Sequence, residues 1–363
     1  MLSVHLIAAA RPNFMKVAPL FHALAKSDWC EPVLVHTGQH YDFNMSDAFF
    51  QDLGLPEPDY HLGVGSGSHA EQTAGVMVAY EKVLMETTPD WVIVVGDVNS
   101  TIACTLAAKK LCLRVAHLEA GLRSRDWAMP EEINRMVTDS IADVLWTPSQ
   151  DGDENLLAEG VAPERISFVG NIMIDSYELL RGRIEQETTR DDFGLEAGTY
   201  GVVTLHRPSN VDHPDTLKVL VETLTAAASD VPLVFALHPR TLKYLEQFDL
   251  YEALAHADGI HLCGPLSYIR FMGLVREARL VITDSGGIQE ETTYLGIPCL
   301  TLRDTTERPI TISEGTNQLA TAADLSELIE KVLSGGWQTG KRPSLWDGNT
   351  AARVADDIRR RSA

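Results

Sequence analysis

Short apolar runs alternate with longer amphipathic stretches almost from end to end of this 363-residue chain. Strand-length runs fall at 4–9, 33–37, 91–95, 115–118, 144–146 and 166–169, with helical periodicity between them at 14–25, 70–85, 101–111 and 131–142. The second half repeats the scheme, with strands predicted at 201–205, 233–237, 260–262, 280–283 and 298–302. Its helices are predicted at 216–228, 268–276, 288–295 and 324–333. Strands that alternate with helices are joined by right-handed crossovers, so each series predicts a parallel sheet covered by helices. A chain of this length exceeds what one core usually serves. The expected fold is therefore α/β: two Rossmann-like domains with parallel sheets facing across a cleft. The first is expected over 1–171, completed by a returning helix at 350–363, and the second over 172–349.

Composition narrows the partners. The formal net charge is −21, from 30 Lys+Arg against 51 Asp+Glu. Such a surface repels nucleic acid and anionic membranes, although a few local cations and N–H groups still suffice for a phosphorylated small molecule. The five cysteines form no CxxC pair and no zinc spacing, and they read as small buried hydrophobes. No metal or cofactor is expected. The opening MLSVHLIAAARPN lacks a basic leader and reads as a first strand. No apolar run approaches the ~20 residues of a membrane span, so a cytoplasmic location is expected.

In open parallel sheets, ligands collect beyond the carboxyl ends of the strands, and those ends carry the polar residues of interest. Strand 280–283 runs into Asp284-Ser285-Gly286-Gly287 and then a helix. Small residues and exposed N–H groups at the positive end of a helix dipole suit a diphosphate, while Ser285 as a simple N-cap is the plainer reading. Arg11 and Lys16 follow the first strand. Asp97 follows 91–95, and Glu119 follows 115–118 without an evident capping duty. Glu131 opens a helix behind Pro130, with Arg135 one turn along on the same face. His206 and His238 each end a strand of the second half, where an imidazole can donate a proton or stabilise charge.

The segments ARPNFMKVAPL, TGQHYD, VVGDVNST, HLEAGLRS, PEEINR, VGNIMIDS, TLHRPSN, DSGGIQEETTYLGIPCL and RDTTERP occur in this order over residues 10–309. The set closely resembles the non-hydrolysing UDP-N-acetylglucosamine 2-epimerases. The resemblance implies a GT-B-like pair of domains and interconversion of UDP-GlcNAc with UDP-ManNAc. It places the catalytic carboxylates on Asp97, Glu119 and Glu131 and the catalytic histidine on His206. It places nucleotide contacts on Arg11, Ser285, Gly286, Gly287 and Glu291, the last as acceptor for ribose hydroxyls. Lys16 matches a basic position near the substrate, the backbone around Phe271 a uracil-facing segment, and Arg308 a loop beside the ligand. A homodimer is implied, and so is a second UDP-GlcNAc as an allosteric activator in some bacterial members, where Gln39, His40 and His238 match part of the region and Asp42 differs. Two departures stand out: Asn13 where many members carry Glu, and Pro208-Ser209 where many carry Arg-Glu. A hydrolysing 2-epimerase, an epimerase of a related UDP-sugar, a GT-B glycosyltransferase and a silent UDP-sugar-binding protein remain as rivals.

Overall fold

The computed structural model describes residues 1–9, 11–38 and 52–363, without the side chains of Arg11 and Pro12. The chain forms two compact units, Met1–Leu180 with Ser344–Ala363, and Arg181–Pro343.

Among the described residues, the first unit holds a 7-stranded sheet in the order β3-β2-β1-β4-β5-β6-β7. Its strands are β1 (Leu2–Ala8), β2 (Cys30–His36), β3 (Tyr60–His61), β4 (Trp91–Val95), β5 (Val115–Leu118), β6 (Val144–Thr147) and β7 (Ile166–Phe168). Every pairing is parallel, for example Leu2 beside Cys30, Val4 beside Trp91 and Val92 beside Val115. Both faces of β4 and β5 are covered, which is why WVIVV and VAHL are buried at every position. The core on one face gathers Val92 and Val94 with Tyr80, Leu84 and Leu145. The sheet order reverses between β1 and β4, so the crossovers leaving these neighbours diverge and open a crevice at their carboxyl ends.

The second unit repeats the plan with a 6-stranded sheet, β10-β9-β8-β11-β12-β13. Its strands are β8 (Gly201–Thr204), β9 (Leu233–Ala236), β10 (Ile260–Cys263), β11 (Leu280–Thr283), β12 (Cys299–Leu302) and β13 (Asn317–Ala320). All pairs are parallel, and the order reverses between β8 and β11, where Gly201 lies beside Leu280. Leu205, Phe235, Leu245, Ile282 and Leu300 are among its buried core residues.

Helix Ile172–Glu185 carries the chain from one unit into the other, so the division falls at 180/181 and 343/344 rather than at 171/172 and 349/350. Hydrogen bonds explain the shift. The Ser176 hydroxyl donates to the Met15 carbonyl, and the Asp175 carboxylate accepts the N–H groups of Thr350 and Ala351 at 3.1 and 2.8 Å. Helix Thr350–Ser362 packs on helix Arg11–Ala25. Among the described residues, no helix is long and apolar enough to cross a membrane.

Candidate active site

In the first unit, the polar residues gather at the carboxyl ends of β1, β4 and β5. Lys16 lies in the helix after β1, and its ammonium forms an ion pair with Glu119 Oε2, the side chains being 12% and 2% exposed. Glu119 directly follows β5 and holds φ at 72°, a left-handed conformation that disfavours a residue with a side chain by roughly 1–3 kcal/mol. Gly96 also has positive φ, and a Cβ there would stand 3.2 Å from Lys16 Nζ and 3.4 Å from Glu119 Oε2. Glycine at 96 therefore leaves room for the ion pair. The Asn13 amide donates to the Val95 carbonyl at 3.0 Å, which fixes the start of the helix against β4.

Asp97 does not cap the following helix: Val98 occupies the N-cap, without a side-chain bond. The Asp97 carboxylate accepts from Arg135 at 2.5 Å, and its carbonyl accepts the Asn134 amide at 2.8 Å. Arg135 is buried and pairs with Glu132 at 2.7 Å. Burial alone would raise the Glu132 carboxyl, but the N–H groups of Ser124 and Arg125 and the Arg135 guanidinium hold it below the usual carboxylate range. The sequence places Arg135 on the face of Glu131; its ionic partners are instead Glu132, three residues before it, and Asp97. Glu131 is half-buried in the first turn of helix Pro130–Ile141, beside Glu132. Two carboxylates with cationic partners thus end neighbouring strands, and a third opens an adjoining helix.

In the second unit, His206 follows β8 and Asp284 follows β11, so the two meet at the reversal of strand order. The His206 ring lies 2.8 Å from Asp284 through Nδ1, with the His side chain 40% exposed and the Asp fully enclosed. Asp284 also accepts the N–H groups of His206 and Arg207 and the Asn210 amide. Burial alone raises the Asp284 carboxyl; the His206 ring and these N–H donors outweigh it and hold it low. A carboxylate on Nδ1 orients the imidazole and leaves Nε2 for chemistry. His238, which ends the next strand, lies 5.5 Å from His206 between ring centroids and accepts the Arg240 N–H on Nδ1. Burial, then the neighbouring His206, lowers His238.

Ser285 does occupy the N-cap of helix Gly286–Leu295, but its side chain makes no capping bond. The two glycines differ. A Cβ on Gly286 would meet Glu307 Oε1 at 2.7 Å and Arg308 Nη1 at 2.8 Å, whereas Gly287 faces open space. The TTERP loop is docked by buried ions: Arg308 pairs with Glu290 at 2.8 Å and with Glu307, and Arg303 reaches Glu307 at 2.7 Å. Burial would raise Glu307, yet Arg308 and Arg303 hold it well below the usual range. Glu291, one turn into the helix, is buried and accepts the Tyr268 hydroxyl at 2.7 Å. Phe271 is half-buried in helix Tyr268–Val275.

Within the first unit Lys16, Gly96 and Glu119 lie side by side beyond β4 and β5, with Asp97 on Arg135, and within the second His206 lies beside both Asp284 and His238. The Arg11 side chain and residues Gln39, His40 and Asp42 lie outside the described residues. Sequence reasoning missed Asp284, Glu132, Tyr268 and Glu307 as partners. Asp284 had a usable signal, an acidic residue at a strand end whose strand neighbours that of His206. No group of three or more His, Cys, Asp or Glu able to hold a metal ion occurs among the described residues.

A family model described as UDP-N-acetylglucosamine 2-epimerase matches residues 22–359. The UDP-N-acetylglucosamine 2-epimerase of Methanocaldococcus jannaschii is 42% identical over 325 residues, 88% of each chain. The UDP-2,3-diacetamido-2,3-dideoxy-D-glucuronate 2-epimerase of Pseudomonas aeruginosa is 39% identical over 323 residues, 87% of this chain and 88% of its own. The crystal structure of the Methanocaldococcus jannaschii UDP-GlcNAc 2-epimerase in complex with UDP-GlcNAc and UDP aligns with a TM-score of 0.89 at 39% identity, covering 99% of this chain and 100% of that one. With these matches and its two parallel sheets of the GT-B-like class, the chain belongs to the UDP-N-acetylglucosamine 2-epimerase family and is an isomerase.

Proposed function

We propose that the protein interconverts UDP-GlcNAc and UDP-ManNAc without net hydrolysis. The C2 proton of the sugar is only weakly acidic, so direct deprotonation and reprotonation is unfavourable. The reaction instead runs by anti elimination. A base removes the C2 proton, the electron pair forms the C1–C2 double bond, and the C1–O bond breaks to release UDP. The enclosed 2-acetamidoglucal then takes a proton at the opposite face of C2 while UDP re-adds at C1. This requires an acid–base group for each face and stabilisation of the departing diphosphate.

Asp97, Glu119 and Glu131 collectively carry the proton transfers in this reading, with Lys16 and Arg135 balancing their charge. His206, Arg11, Ser285, Gly286 and Gly287 hold the diphosphate, Glu291 the ribose and the Phe271 segment the uracil, with Arg308 bracing the helix start. The observation that carries the reading is the placement of Asp97 and Glu119 at the carboxyl ends of the adjacent strands β4 and β5, beside the first sheet's reversal of order between β1 and β4, each against a cation largely withdrawn from solvent. The relative from Pseudomonas aeruginosa, which acts on a diacetamido glucuronate, supports a second reading in which a related UDP-sugar is the substrate. The proposal also includes a cytoplasmic location, a homodimer, and activation by a second UDP-GlcNAc at a site that includes His238.

Incubation with UDP-GlcNAc in heavy water tests this. Deuterium should enter C2 while both epimers remain UDP-linked. Free ManNAc as the sole sugar product would instead identify a hydrolysing enzyme. Asp97→Asn and Glu131→Gln should each abolish exchange while UDP still binds; persisting exchange rejects the carboxylate assignment. A parallel incubation with UDP-diacetamido-glucuronate decides between the two substrates.

A further inference from the structure

We propose that His117 and Asp139, enclosed behind the first crevice, are positioning residues that set the geometry of Asp97 and Glu119. The inference rests on the elimination reading above and adds a pair of groups that touch neither sugar nor nucleotide.

His117 sits inside β5, 0% exposed, and Asp139 is 1% exposed on helix Pro130–Ile141, the helix that also carries Glu131 and Arg135. Both ring nitrogens of His117 face acceptors. Nδ1 lies 2.6 Å from Asp139 Oδ1, and Nε2 lies 2.7 Å from the Gly96 carbonyl. The ring therefore faces two acceptors, and hydrogen bonds buried in a low-dielectric setting are strong and costly to leave unmade. Gly96 immediately precedes Asp97, and its α-carbon abuts the Lys16–Glu119 ion pair. Fixing its carbonyl fixes both.

Asp139 holds the other side of the same turn. Its second oxygen accepts the Gly121 N–H at 3.0 Å and pairs with Arg123 at 2.7 Å, and Arg123 reaches out to Glu159 at 2.7 Å. His117 and Gly121 flank Glu119 at two residues on either side, so one carboxylate clasps both ends of the segment that forces Glu119 to φ 72°. Only glycine fits at 121, with φ at 81° and the Gly152 carbonyl 2.5 Å from where a Cβ would stand. A strained strand-end carboxylate persists only where its surroundings over-determine it. Three elements that carry the proposed acid–base groups, the ends of β4 and β5 and the helix at 130, are thus tied by one buried network.

The test uses full-length protein and C2 exchange with UDP-GlcNAc. The wild type must exchange first; if it does not, the elimination reading fails and not this proposal. Given exchange, His117→Gln and His117→Asn separate the two ring donors, because a Gln amide reaches the Nε2 position and an Asn amide the Nδ1 position. Misplacement of a reacting group by about 1 Å costs on the order of 100-fold in rate. Expected is a kcat loss of that order for His117→Asn and of about tenfold for His117→Gln, with KM and UDP affinity unchanged. Glu159→Gln, at a 26%-exposed side chain that tolerates the change, loosens Arg123 and should lower kcat about two- to fivefold. A role in stability alone would lower the melting temperature of the variants and leave the kcat of folded protein intact. That result in any folded member of the set overturns the proposal, as does His117→Asn retaining more activity than His117→Gln.

Discussion

Burial carries the Glu291 carboxyl up to about 7, against the Tyr268 hydrogen bond and with help from the neighbouring Glu290 charge. In the proposed complex, the ionised form is the better acceptor for two ribose hydroxyls. UDP affinity should therefore rise with pH up to about 7, falling about tenfold for each unit below it, and Glu291→Gln should flatten the profile in a calorimetric titration. Without ligand the sign reverses. A raised folded-state pKa contributes stability that is full below the ordinary value of 4.5 and lost as pH climbs through 7. The denaturant midpoint of the wild type relative to Glu291→Gln should fall across that window. Equal slopes for the two proteins would remove Glu291 from both roles. Glu291, Glu119 and His206 were legible as candidates because a strand end or helix start places them. Tyr268 was not, since a hydroxyl 23 residues away finds its carboxylate only once the helices are laid side by side. Glu132 was masked by Glu131, which fits the same local pattern.

Helix Gly286–Leu295 begins with two glycines that the amino-acid sequence cannot tell apart. Packing separates them. At 286 a methyl group would enter a dock of buried ions whose members cannot move without losing partners, while at 287 it would enter open space. Gly286→Ala should lower the melting temperature and weaken UDP binding together. Gly287→Ala should raise stability by up to about 1 kcal/mol through helix propensity, while still weakening UDP if the diphosphate approaches there. A melting temperature unchanged in Gly286→Ala would mean that the dock yields. The sequence predicts β4, β5 and β11 with their observed limits, because short, largely apolar runs bounded by polar and turn residues leave little choice. The two missed strands, Tyr60–His61 and Asn317–Ala320, are short and carry polar residues that pair on the sheet rather than fill a core. Helix Ile172–Glu185 was missed because the expected linker lies over its first turns.

The last 20 residues return to the first unit, and their hold is polar as well as apolar. Asp357, 4% exposed, accepts the Trp146 indole N–H at 2.8 Å and the Arg361 guanidinium at 2.8 Å. Trp346 donates to the Pro148 carbonyl at 2.9 Å, and Trp91 to the Ser362 hydroxyl at 2.9 Å. Trp91 opens β4 at its amino end and Trp146 lies in β6, and neither they nor Asp357 belong to the proposed acid–base or nucleotide-binding residues, so stability and catalysis should separate here. Asp357→Ala leaves the fully buried Trp146 N–H without its acceptor and Arg361 without its carboxylate, and a stranded buried donor costs about 1–3 kcal/mol. The variant should melt several degrees lower by circular dichroism, yet exchange the C2 proton at the wild-type kcat and KM at 25 °C. Deletion from Thr350 onward additionally strips Asp175 of two N–H donors and uncovers helix Arg11–Ala25, and should abolish folding of the first unit. A wild-type melting temperature for Asp357→Ala would show that the returning helix is held by its apolar face alone.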